Sequence, residues 1–312
     1  MVWDGIIACY LFLAGLGAGA FALAAIAGFI KPNAVKFRII GYLIAPIAVG
    51  VGTILLMVDA RAGLMNPLRF FGLLTNFSSI MTWGVVILIA FMIVSVIALI
   101  IMLVKKRTPR ALDIIGIICA VAVAVYTGLL LGDSPGFPLW SPVILPILFL
   151  ISAASSGFAA VLVIAHAMKL EDVHAFGFLK KTGLAFPMLE AALIVVLLAV
   201  TASISGSAAD AASASVANLI SGTYAVAFWV GLVAIGLVLP FCIELVQLNR
   251  SKMSYTAGDS HPSAPSTQAV GLTATATTDL TGLAMVGEIG VLIGGFMLRF
   301  LIIMAAVPLT LF

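Results

Sequence analysis

The chain has 312 residues, of which 63% are hydrophobic and only 9% charged, with a formal net charge of +3. Soluble domains carry about a quarter of their residues as charge to stay solvated. The composition therefore excludes a water-soluble enzyme and a nucleic-acid-binding protein, and describes one integral membrane unit.

The amino end, Met1-Val2-Trp3-Asp4, has no basic segment of the kind that opens a secretory signal peptide. The apolar stretch behind it is also too long for one, so it is expected to be a retained helix. Breaking the sequence at charge, proline and polar clusters predicts eight spans, at 4–30, 38–58, 77–104, 112–132, 142–168, 183–203, 218–248 and 283–308. Each can cross a hydrocarbon layer about 30 Å thick at about 1.5 Å per residue.

The expected fold is an all-α membrane protein of eight helices in two four-helix bundles, residues 1–135 and 136–312. The first and fifth spans support such halves, since Leu11-Phe12-Leu13 and Leu148-Phe149-Leu150 are each followed by small residues. The loop from Ser251 to Thr281, rich in Ser, Thr, Ala and Gly, is expected to be a flexible linker. The stretch from Ser203 to Ser215 has a similar small-residue character. Gly15–Gly19, Gly290–Gly294 and Ser152–Ser156 have the spacing that lets membrane helices approach closely. No span shows a central proline break. Cys9, Cys119 and Cys242 lie far apart inside apolar segments, which fits small core residues better than a disulfide or metal framework.

Charge sets the topology. Of the 15 basic residues, 12 fall on one side: Lys31, Lys36, Arg38, Lys105, Lys106, Arg107, Arg110, Lys169, Lys180, Lys181, Arg250 and Lys252. Only Arg61 and Arg69 lie in loops of the other side, and Arg299 is inside a span. The basic side is expected to be cytoplasmic in a prokaryotic inner membrane, with both termini external.

Polar residues within hydrocarbon are costly, so each needs a reason. At the external ends of the first four spans stand Tyr10 and Tyr126, each seven residues and hence about 10 Å inside its boundary. Asp59, Arg61, Asn76 and Asp133 are at the same face. Hydroxyl, amide and carboxylate groups under an apolar wall suit a quinone headgroup, whose oxygens need hydrogen-bond donors and whose protons need acceptors leading to water. The bland alternative is an interfacial aromatic belt with Asp59 and Arg61 as a surface pair. On the other side, Glu190 and Glu288, with Arg299, form either a candidate proton path or ion pairs within the bundle. Arg299 is three turns beyond Glu288 on one helix, too far to reach it. His166 and Glu244 are expected to be solvated near lipid headgroups.

The histidines are His166, His174 and His261, and just one touches a span, so a bis-histidine haem is excluded. A redox cofactor must be a diffusible quinone or belong to another subunit. A polytopic transporter and a passive membrane anchor are the rival readings.

Several segments, in order, resemble the NrfD/polysulfide reductase membrane-subunit family. They are Tyr10-Leu-Phe-Leu-Ala-Gly-Leu-Gly-Ala-Gly-Ala-Phe21, Asp59 through Phe71, Asn76-Phe-Ser-Ser-Ile-Met-Thr-Trp-Gly84, Tyr126-Thr-Gly-Leu-Leu-Leu131 and Pro138-Leu-Trp-Ser-Pro142. Leu148 through Gly157 and Gly294-Gly-Phe-Met-Leu-Arg299 follow. The resemblance implies an eight-helix, two-bundle subunit that reacts with menaquinol or ubiquinol in its first four helices, near the face where a partner docks. It implies as partners a ferredoxin-like iron–sulfur subunit with four 4Fe–4S clusters and a molybdopterin catalytic subunit, on the external face. Tyr10 stands where some relatives carry a quinone-contacting histidine, and Tyr126 matches a tyrosine given that role. An asparagine used by some relatives is here Ile7, so Asn76 or Asp59 is expected to compensate.

Overall fold

The computed structural model describes residues 5–59, 79–170, 177–258 and 267–309, with side chains throughout except at 59, 177–181, 249–258 and 267–281. The helices, in order, are α1 (Gly5–Ile30), α2 (Val35–Asp59), α3 (Ile80–Lys105), α4 (Arg110–Gly132), α5 (Ile144–Ala167), α6 (Gly177–Ala202), the short α7 (Ala209–Ile220), a π-helical segment π1 (Ala227–Val238) running into α8 (Leu239–Gly258), and α9 (Thr267–Met304). Among the described residues, eight spans are long and apolar enough to cross a membrane, as predicted. In hydrocarbon every backbone N–H and C=O needs an internal partner, and a continuous helix is the simplest way to provide one.

α1 is the central rod: 72% of its most apolar window is buried, against 28% in α3. It packs on α2 and α4, and these meet α3, which closes a first ring of four helices. α5, α6, the π1–α8 rod and α9 close a second ring in the same way. α1 touches α5 and α9, and α4 touches α5, so the rings join along α1 and α5.

Small residues make that seam. A Cβ at Gly19 would strike the carbonyl of Ala153, and one at Gly157 would strike the backbone of Gly19 and Ala20. The Gly290–Gly294 pair does the same between α9 and π1: Gly290 faces the carbonyl of Ile235, and Gly294 meets the Cα of Gly236. All three predicted small-residue pairs therefore sit at helix contacts, with Ser156 packed on Gly295. Backbone-to-backbone approach supplies the dispersion contact that lipid cannot supply by exclusion.

Pro46 lies in mid-α2 and Pro187 within α6, and both helices run through them, so neither proline breaks its span. The first half of the seventh span is π-helical and ends just before Pro240, which lacks an N–H to donate. The stretch around Ser203–Ser215 is not a loop throughout. It forms a 3-10 turn, Gly206–Ala208, and then α7. Ser215 fixes it in place: its buried hydroxyl donates to the carbonyl of Ala211 (2.7 Å) and accepts from the N–H of Val307 (2.9 Å).

The lysine-bearing turns after α1, α3 and α5 lie at one end of this up-and-down array, called the basic end below. α3 stops there at Lys106, a left-handed cap (φ 56°) whose N–H bonds the carbonyl of Met102.

Candidate functional site

Tyr10 and Tyr126 converge at the end of the first ring opposite the basic end. Tyr10 is fully buried on α1, and Tyr126 is 5% exposed on α4. The two phenols stand within electrostatic reach of one another. Glycines on the facing helices make the room. A Cβ at Gly52 of α2 would press on the ring and carbonyl of Tyr10, and a Cβ at Gly84 of α3 would overlap the phenol of Tyr126. The Tyr10 hydroxyl has no hydrogen-bond partner among the described residues. A buried hydroxyl left alone costs about 1–3 kcal/mol, so such a group marks a place that a ligand or water can satisfy.

Asp133 caps the C-terminal end of α4 two turns beyond Tyr126 and is exposed, its N–H held by the carbonyl of Leu129 (2.9 Å). The segment behind it is fastened down. Phe137 stacks on Trp140 with centroids 4.0 Å apart, and the Trp140 indole donates to the carbonyl of Ile302 (2.8 Å). The N–H of Leu309 bonds Gly136. The roof over this end thus ties the first ring to the end of α9. Of the other residues assigned to this face, Arg61 and Asn76 lie outside the described residues, as does the side chain of Asp59.

The candidate proton-path residues fall into two pairs. Glu288 on α9 meets His166 on α5, with Nδ1 2.9 Å from Oε1 and side chains only 10% and 13% exposed. This corrects the expectation that His166 is solvated: the surroundings of its span end are set by α9, which lays a carboxylate beside it. Glu244 lies half-buried in the wall of a cavity. Arg299, fully buried, does not reach Glu288. Its guanidinium donates to the Ser152 hydroxyl (3.0 Å) and the Gly295 carbonyl (2.8 Å) and lies over the rings of Phe149 and Phe12. The carboxylate whose charge bears on it is Glu190 on α6, beside the Ser155 hydroxyl, at more than ion-pair distance. Gly15 of α1 leaves the space that the guanidinium occupies.

One polar cluster escaped the sequence reading. Arg38, counted in the sequence only among the charges of the basic side, is 2% exposed and pairs with Asp113 (3.5 Å), itself 2% exposed. The Tyr42 hydroxyl donates to Asp113 Oδ1 (2.6 Å) and the Thr108 hydroxyl to Oδ2 (2.7 Å), while Arg38 also reaches Thr108 and covers the Tyr42 ring. The available signal was position: Arg38 and Asp113 each lie three residues into a helix, at the basic end of α2 and of α4. Opposite charges at equal depth on neighbouring helices are a pairing signal.

Comparison with known proteins now bears on this arrangement. The family model described as "Polysulphide reductase, NrfD" matches residues 1–256. The chain belongs to the NrfD/polysulphide reductase family. It is 35% identical to the C subunit of polysulfide reductase from Wolinella succinogenes, over 78% of this sequence and 83% of that one. It is 31% identical to the NrfD homolog of Haemophilus influenzae, covering 81% and 86%, and 28% identical to NrfD of Escherichia coli, covering 78% and 84%. With its eight apolar helices, this NrfD-family member is a multi-pass membrane protein.

Proposed function

We propose that the protein is the membrane subunit of a respiratory oxidoreductase complex, and that it exchanges electrons between membrane quinol and an iron–sulfur partner. The observation that carries this reading is the buried, unpartnered hydroxyl of Tyr10 facing Tyr126 beneath an exposed carboxylate, Asp133. Two phenols at one depth suit the two oxygens of a quinone head, and the apolar helix walls suit its isoprenoid tail. The Wolinella relative is by its name one subunit of a reductase, which supports a multi-subunit assembly here.

In this reading quinol (menaquinol or ubiquinol) is the diffusible substrate. Its oxidation releases two electrons, one at a time, to 4Fe–4S clusters of a ferredoxin-like subunit and two protons to carboxylates leading to water. Reduction runs the same step backwards. Tyr10 and Tyr126 orient the headgroup, with Asn76 and Arg61 as further polar contacts. Asp59 and Asp133 take the protons towards the end away from the lysines, where the iron–sulfur and molybdopterin subunits dock. Residues 1–135 form the quinone-reacting bundle and 136–312 the second.

The test is titration of the purified complex with a headgroup-mimicking hydroxyquinoline N-oxide, read by fluorescence quenching, together with quinone extraction. Saturable binding is expected, weakened severalfold in Tyr10→Phe and in Tyr126→Phe, by about 1 kcal/mol each. No bound quinone and no saturable binding in the unmodified complex would leave a passive anchor.

A further inference from the structure

Cations are not spread evenly over the basic end. The connections that close the first ring there, with the helix ends beside them, carry Lys31, Lys36, Lys105, Lys106, Arg107 and Arg110, all exposed. From Lys31 to Arg38 and from Lys105 to Asp113 the sequence has a single acid, Asp113. That acid is 2% exposed and taken by Arg38. The α5–α6 connection of the second ring instead mixes Lys169, Lys180 and Lys181 with Glu171 and Asp172. Orientation in a membrane asks for positive charge on one side, not for its concentration on one ring without counter-charge.

The cluster around Asp113 has a consequence for the exposed charges. The Thr108 hydroxyl donates to Asp113 Oδ2 (2.7 Å) and accepts from Arg38, which fills the space left by Gly28 of α1. Lys106 is held in its left-handed cap, and Pro109 fixes its own φ at −63°. The turn from Lys105 to Arg110 is thus pinned from inside by α1, α2 and α4. Cationic side chains on a pinned turn lose less freedom on meeting an anion than the same side chains on a free loop.

An apolar wall adjoins these charges. Val104, next to Lys105, is 75% exposed, and Ile100, Ile97 and Ile93 continue its stripe down α3 at helical spacing. On α4, Ile114 and Ile118 are exposed just beyond Arg110. A soluble acidic partner would meet the cations and leave this wall uncovered. A molecule with phosphate at one end and acyl chains at the other covers both.

We propose that the α3–α4 turn is a binding site for an anionic phospholipid of the adjoining leaflet. The phosphate lies among Lys105, Lys106, Arg107 and Arg110, and the acyl chains lie on the α3 and α4 stripes. Lys31 and Lys36 add positive potential, since Arg38, two residues beyond Lys36, touches Thr108. The site is at the end of the first ring opposite Tyr10 and Tyr126 and does not depend on quinol chemistry.

The test is native mass spectrometry of the full chain, with any partner it retains, released from nanodiscs of mixed phosphatidylglycerol and phosphatidylcholine. One tightly held phosphatidylglycerol per chain is expected, and soluble glycerol phosphate should not displace it. Its affinity is expected to fall about 30-fold in Arg107→Gln/Arg110→Gln, from about fivefold per surface cation. Thr108→Ala keeps every cation but frees the turn, and retention is expected to fall there as well. Lys180→Gln/Lys181→Gln removes two cations from the second ring and is expected to leave the lipid in place. An equal loss in that control overturns the site, because it reduces the effect to the general attraction of a basic surface. Equal retention of phosphatidylcholine overturns it too, as does displacement by glycerol phosphate, which would mark a free-phosphate site. Amine labelling in vesicles checks that Arg107→Gln/Arg110→Gln keeps its orientation; should it not, Thr108→Ala, with its charge unaltered, decides.

Discussion

The phenol of Tyr126 occupies the space where a side chain at Gly84 would begin: a Cβ built there falls upon the ring and its hydroxyl. Gly84→Ala therefore has to move Tyr126, at a cost of about 1–3 kcal/mol for overpacking. Inhibitor affinity is expected to fall further in Gly84→Ala than in Tyr126→Phe, which keeps the ring in place. Fluorescence-quench titration of both variants checks the order.

Removing the hydroxyl of Tyr10 should weaken headgroup binding without harming the fold. That oxygen has no partner among the described residues, so Tyr10→Phe is expected to leave thermal stability unchanged or raised, while the binding free energy drops by about 1 kcal/mol. Tyr126→Phe is expected to lose a similar amount. A stability loss in Tyr10→Phe would show that the hydroxyl has a structural partner.

Arg299 and Glu190 should be strongly coupled. Arg299→Met leaves a buried carboxylate unpaired and is expected to destabilise by about 3–5 kcal/mol. Adding Glu190→Gln should recover much of that, because the remaining groups are neutral. A double-mutant cycle on thermal unfolding of the complex measures the coupling; additive losses would mean that the two charges do not meet.

At the other end, Tyr42 donates to Asp113, a buried acceptor that also pairs with Arg38. Tyr42→Phe should cost about 1.5–3 kcal/mol, the range for hydrogen bonds to charged groups. Thr108→Ala, which also removes a donor to Asp113, should sensitise the protein further. Unfolding in mixed detergent, read by tryptophan fluorescence, gives both values.

All eight lysines (31, 36, 105, 106, 169, 180, 181 and 252) fall on one side of the predicted topology. A membrane-impermeant amine reagent is expected to modify lysine side chains in vesicles of one orientation and none in the other. Labelling of Lys105 or Lys106 in both would overturn the assigned orientation.

Much of the fold was legible because hydropathy is a local, additive property. Eight apolar runs and the Gly15–Gly19, Ser152–Ser156 and Gly290–Gly294 pairs are written along the sequence, and each lies where helices form or touch. The tyrosine pair was legible for a similar reason: equal distance from two span ends puts Tyr10 and Tyr126 at one depth. Depth says nothing of rotation, however, and His166 shows the result. Its position near a span end suggested solvent, but α9 turns Glu288 towards it.

By itself, then, the sequence determined that this protein crosses a membrane eight times, with its lysines on one side, because transfer free energies add up residue by residue. Only the tertiary structure decided which buried charges meet, Arg38 with Asp113 and His166 with Glu288, and that Glu190 is the carboxylate whose charge bears on Arg299. Those choices depend on how far each helix is turned and slid against its neighbours. Glycine-to-backbone contacts such as Gly19 on Ala153 and Gly294 on Gly236 set that registry, and they are properties of two helices rather than of either one.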